Sequence, residues 1–127
     1  MKFALSDDRE RSLVLSKDIG RLATISSDGW PHSIPVGYLY LHGKFYVPSA
    51  PNTKKIRNLK KNMKATLVID DEDTEHGLMI ECNSKILEGI KAERFKRYMR
   101  EVKRWQNNET TVVIELNPHR KVSWFPK

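Results

Sequence analysis

The sequence predicts a mainly β protein of the α+β type: a small antiparallel barrel of six strands with two or three peripheral helices. Three observations carry that prediction. Residues 19–47 contain three short strand-like runs joined by tight turns at Ser27-Asp28-Gly29 and His42-Gly43, which makes an antiparallel meander. Between residues 78 and 87, Met79, Glu81, Asn83 and Lys85 alternate with Ile80, Cys82, Ser84 and Ile86, the period of a half-buried strand. The segments around 6–17, 53–61 and 91–106 have helical spacing and are too few to cover more than the outside of one sheet.

Each element follows from local chemistry. Residues 6–17 read as a helix capped at Ser6, with Asp7 and Asp8 in the first turn and Leu13 and Val14 packing inward. Ile19 to Ser26 is the first strand, His32 to Leu41 the second and Lys44 to Val47 the third. The second contains Pro35 and Gly37. Proline donates no ladder hydrogen bond, so this strand is either an ordinary edge or the opened side of a barrel. Pro48 and Pro51 end the third strand and fix a turn. Asn52 and Thr53 are both good N-caps for a helix that buries Ile56, Leu59 and Met63. Ala65 to Asp70 is the fourth strand, followed by an acidic loop to Gly77 and the fifth strand, Leu78 to Leu87. Residues 91–106 form an amphipathic helix with a stripe of Phe95, Tyr98, Met99, Val102 and Trp105, expected to serve as core or dimer contact. Thr110 to Leu116 is the sixth strand, and after Asn117-Pro118 the chain resumes as His119 to Phe125.

With 127 residues the chain is expected to form one domain, residues 1–127. The single cysteine, Cys82, excludes an intramolecular disulfide and points to a reducing compartment; its place on the apolar face of a strand predicts a buried, inert thiol. The opening MKFALSDDRERS turns charged too early for a signal peptide, and no apolar run is long enough to span a membrane. A cytoplasmic protein is the expectation. His32, His42, His76 and His119 are scattered without metal-ligand spacing, and neither a G-x-S-x-G elbow nor a P-loop is present.

The net charge of +7 is unevenly distributed. Lys54, Lys55, Arg57, Lys60, Lys61 and Lys64 fall within eleven residues that hold no acid, and Asp70, Asp71, Glu72, Asp73 and Glu75 follow closely. Lys54 and Lys55 sit in a first helical turn, where the helix dipole disfavours cations. An anion there reverses the sign: a phosphate would meet free backbone N–H groups, the Thr53 hydroxyl and two ammonium groups. A merely solvated basic helix is the alternative. A nucleic-acid-binding module is disfavoured by the absence of an RNA-binding motif and of aromatic residues in 54–64.

The succession R-L-A-T-I, a D-G turn, P-H-S-I-P-V, F-Y-V-P-S and T-K-K-I-R-N-L-K-K-N resembles the pyridoxamine phosphate oxidase-related, FMN-binding split-barrel family over about residues 15–87. V-V-I-E-L-N-P-H-R-K-V-S-W is similar to that family's closing motif. The resemblance implies a six-stranded split barrel and a homodimer with two FMN sites at the subunit interface. It also implies flavin-dependent hydride or electron transfer to or from a small molecule. Thr53, Lys54 and Lys55 match the family's phosphate-binding segment. Pro48 and Ser49 match the pair at the ribityl chain and ring, and Ile34, Pro35, Val36, Gly37 and Tyr38 match the segment along the isoalloxazine. Tyr38, Tyr40 and Glu81 are further substrate-side candidates, with a structural role the stronger expectation for each.

Departures from the family pattern speak against oxidation of vitamin B6. The oxidases carry an arginine near Ile34 and a lysine near Leu39, and they end in an arginine-rich extension, whereas this chain stops soon after Trp124. A reductase of another small molecule, or a deazaflavin coenzyme in place of FMN, fits the resemblance equally.

Overall fold

The computed structural model describes residues 5 and 7–126. Its elements are α1 (Asp8–Ser16), β1 (Ile19–Ile25), β2 (Pro31–Gly37), β3 (Leu39–Leu41), β4 (Lys44–Ser49), α2 (Lys54–Lys61), β5 (Lys64–Asp71), β6 (His76–Leu87), α3 (Ile90–Glu101) and β7 (Val112–Trp124). The strands form one antiparallel sheet in the order β2-β1-β5-β6-β7-β4-β3.

Seven strands, not six, make this sheet. The run 32–41, expected as one strand, is broken at Tyr38, and its two parts lie at opposite edges of the sheet. One residue therefore carries the chain from one edge to the other, and the curled sheet is a half-barrel closed covalently at that seam. Tyr38 is anchored there from both ends. Its N–H donates to the Asp18 carbonyl at 3.0 Å, and its buried hydroxyl donates to the Val14 carbonyl of α1 at 2.6 Å. Burial pushes the phenol well above its ordinary range. Tyr38 is thus a structural residue, and Tyr40 packs its ring on Phe45 with centroids 4.8 Å apart.

The core lies inside the curl. Leu22 faces Leu67 across β1–β5, and Leu67 faces Ile80 across β5–β6; all three are fully buried, each stabilising by about 1.5–3 kcal/mol. Phe45, Val47, Ile114 and Leu116 continue this layer, and Ile56 and Leu59 of α2 close it. A second, outer cluster joins Leu39, Tyr46, Leu87 and Val113 to Ala92, Phe95 and Met99 of α3, with the Tyr46 and Phe95 rings stacked at 4.0 Å.

Three further boundaries differ from expectation. β4 runs through Pro48 because β3 pairs with it only as far as Tyr46, leaving an open edge on which proline is tolerated. β7 runs unbroken through Asn117-Pro118, because a bulge opposite Glu81 and Cys82 absorbs the register shift at His119. α3 stops at Glu101 rather than 106: Arg104 adopts a left-handed φ of 60° and the Trp105 N–H closes on the Met99 carbonyl. Phe95 and Met99 are buried, whereas Tyr98 and Val102 stay exposed, as does Met63 beyond α2. Asp7 caps α1 through its carboxylate, which accepts from the Arg9 N–H at 2.7 Å; Ser6, the expected cap, lies outside the described residues. Cys82 is buried as expected, and burial pushes its thiol up to about 12. No described helix is long and apolar enough to cross a membrane.

Candidate functional site

The start of α2 is built by the end of β4. Ser49, the last residue of that strand, is buried, and its hydroxyl donates to the Ala50 carbonyl at 2.8 Å and lies 3.0 Å from the Thr53 hydroxyl. Thr53 occupies the N-cap position with extended backbone, but its side chain turns to Ser49 and caps nothing. Each helix leaves its first N–H groups without intrahelical partners. At Lys54, Lys55 and Ile56 those groups therefore receive no side-chain acceptor from the cap. No acid occupies the first turn.

Lys55 is half-buried and makes no ion pair among the described residues, and its desolvation lowers the amine pKa. Lys54 is exposed. An anion at the helix start would relieve the unpaired N–H groups and the desolvated ammonium together. The donor set fits a phosphate.

The other expected positions flank this point. Val36 is buried in the same cluster as Val47 and Ile56, with Ile34 packed against it and Pro35 exposed on the open edge of β2. Gly37 is not free space. A Cβ there would stand 3.1 Å from the Trp105 ring, which the turn at Arg104 folds back onto it. Pro48 is partly exposed where β4 extends past β3, still paired with Val113 of β7. These residues line an open edge of one chain rather than an enclosed cavity.

Of the expected residues, Glu81 and Lys54 line the nearby recesses. A cleft of about 410 Å³ lies across β1, β5, β6 and β7 at the bulge, with Ile25, Thr66, Glu81, Asn83, His119 and Arg120 on its walls. Glu81 is held by the Arg120 guanidinium at 2.7 Å, so its carboxylate is committed to an ion pair. A groove of about 390 Å³ runs between α2 and the β1–β2 turn. The sequence marks Ser27-Asp28-Gly29 only as a turn, and it gives Arg120 no site role. Their roles depend on pairing between residues 39 positions apart, or on a helix packing over a hairpin, and no local pattern signals either.

The sequence profile of pyridoxamine 5'-phosphate oxidase matches residues 6–125. The chain belongs to this family. No protein of curated function matches it. Among solved structures, the family member resembles a conserved hypothetical protein of Mycobacterium tuberculosis with a TM-score of 0.78 and 22% identity, over 98% of this chain and 87% of that one. It is similar to the General Stress Protein 26 of Bacillus anthracis (TM-score 0.75, 21% identity, 89% and 88% covered). An F420 reductase is also similar, with a TM-score of 0.74, 18% identity, and 88% and 94% of the two chains covered. At these identities the structures show a shared split-barrel fold.

Proposed function

We propose that this member of the family binds FMN and serves as a flavin-dependent oxidoreductase acting on a small molecule, as a homodimer in the cytoplasm. One observation carries the reading. The α2 N-terminus has no side-chain cap, faces a hydroxyl pair at Ser49 and Thr53, and holds a half-buried lysine without an acidic partner. That combination raises the free energy of the empty site and would be relieved by a phosphate monoester. A bound flavin supplies hydride or electron transfer. The chain's own residues hold and orient it: Lys54, Lys55 and the helix N–H groups at the phosphate, Ser49 and Pro48 toward the ribityl chain, and the Ile34–Gly37 edge beside the ring. The 410 Å³ cleft with its mixed apolar and charged walls offers room for a small substrate.

Dimerisation is supported by the open edges and by apolar side chains left on the outside, Ile25, Trp30, Val122 and Trp124 among them. The α3 stripe contributes less than its composition suggests, since Phe95 and Met99 are used within the subunit. A deazaflavin coenzyme is the second reading, favoured by the likeness to an F420 reductase.

The purified protein should carry a flavin or deazaflavin absorbance, or its apo form should quench added FMN fluorescence saturably, and it should sediment as a dimer at micromolar concentration. Absence of both absorbance and quenching would overturn the cofactor assignment, and a species of 14.8 kDa alone would overturn the dimer.

A further inference from the structure

The groove between α2 and the β1–β2 turn carries features that the flavin assignment does not use. Ser26 is 8% exposed, and its hydroxyl has no hydrogen-bond partner among the described residues although it lines this groove of about 390 Å³. The serine's backbone groups are already spent on the turn: its N–H donates to the Trp30 carbonyl at 2.9 Å, and its carbonyl accepts from Gly29 at 2.8 Å. The Oγ alone is left over, and buried polar atoms are normally paired.

The charge around that hydroxyl is predominantly positive. Lys54, Arg57, Lys60 and Lys61 line the groove, all are exposed, and none makes an ion pair among the described residues. Arg57 donates one guanidinium N–H to the Asn52 carbonyl at 2.7 Å and keeps the others available. The one acid lining the groove is Asp28, whose carboxylate accepts from the Trp30 N–H at 3.2 Å and is outnumbered by four cations. Nearby, Asn58 donates to Thr24 at 2.9 Å and locks the helix over β1, so the groove wall is fixed.

We propose that this groove is a second anion site, taking a phosphoryl group that is not the flavin's. The Ser26 hydroxyl donates to one phosphate oxygen, the Arg57 fork meets a second, and Lys60 and Lys61 supply the remaining charge. A phosphoryl dianion matches this set better than a carboxylate, because it offers three acceptor oxygens to donors arriving from a strand end and a helix flank. The group comes either as free phosphate or as the monoester of a small metabolite. The site stands independently of the flavin assignment, since Ser26, Arg57 and Lys61 are outside the cofactor set.

The test is an amide-resolved NMR titration of the full chain at low salt with inorganic phosphate and, separately, ribose 5-phosphate, each with and without excess FMN. Saturable shifts are expected at 26–30 and 57–61, and they should persist with FMN present. Tighter binding of ribose 5-phosphate identifies a metabolite monoester, and equal binding identifies free phosphate. Both Arg57 and Lys61 are exposed, so Arg57→Ala/Lys61→Ala should fold normally yet bind about tenfold more weakly or worse. Ser26→Ala should lose several-fold. Shifts confined to 53–55, shifts that do not saturate, or wild-type affinity in the double variant would overturn the proposal.

Discussion

Lys55→Ala separates a phosphate contact from a structural one. The side chain is half-buried at the start of α2, has no acidic partner among the described residues, and is held below its ordinary pKa by desolvation. Removing it from the free protein therefore deletes a cost rather than a contact, and the folded state should be unharmed or slightly stabilised. In the FMN complex the same ammonium would make a charge-assisted hydrogen bond, worth roughly 1.5–3 kcal/mol, so the variant should bind FMN about 10- to 150-fold more weakly. Riboflavin has no phosphate and should bind the two proteins alike. The pH dependence follows from the direction of the shift. Phosphate binding favours the charged lysine and raises its pKa. Affinity should be full below the free protein's lowered pKa and decline as pH rises through it, earlier than for an ordinary lysine. Fluorescence titration above about pH 7, where the flavin phosphate is mostly dianionic, gives both numbers. Equal weakening of FMN and riboflavin would refute the reasoning, as would a loss of thermal stability in the apo variant.

Other expectations concern the scaffold. Tyr38→Phe deletes the buried bond to the Val14 carbonyl and leaves that acceptor unpaired, so denaturant unfolding should show a loss of about 1–3 kcal/mol; an unchanged midpoint would remove the anchor role. Cys82 should resist thiol reagents at pH 8 until the protein unfolds, and rapid labelling of the native protein would contradict its burial. Because that thiol is pushed from 9.0 to about 12, its contribution to stability is full below pH 9 and is lost as pH rises toward 12, where the unfolded thiol ionises first. Gly77→Ala would place a methyl 1.9 Å from the Trp124 ring, so the indole must move; near-ultraviolet circular dichroism should change and the melting temperature should fall.

The sequence made the strands legible wherever alternation is local, as in 78–87, and made the α2 start legible because caps, prolines and lysines are adjacent in the chain. The edge character of Pro35 and the burial of Cys82 were legible for the same reason. The division at Tyr38 was not, since residues 32–41 read equally well as one strand; what parts them is the pull of Asp18 and Val14, more than twenty positions away in one case. The end of α3 was hidden because Arg104, not a glycine, takes the left-handed turn. That turn in turn determines that Trp105 lies over Gly37, so the neighbour of a candidate cofactor residue comes from the other half of the chain. Ser26 carried no local signal, because an orphaned hydroxyl exists only once a helix has covered it.

The single-residue passage at Tyr38 also sets how much the barrel tolerates at its seam. β2 and β3 share no hydrogen-bond ladder; each is held in register by its own partner, β1 and β4, and the junction at Tyr38 must match both registers at once. Side chains alternate faces with a period of two, and one added residue between Gly37 and Leu39 would turn β3 over relative to β2. Either the ladder from Leu39 to Tyr46 slips or Leu39 leaves the outer cluster under α3. Insertions of one residue are usually harmless in exposed surface loops. At position 38 the same insertion would act like a dislocation in a crystal, its misfit spreading along both strands.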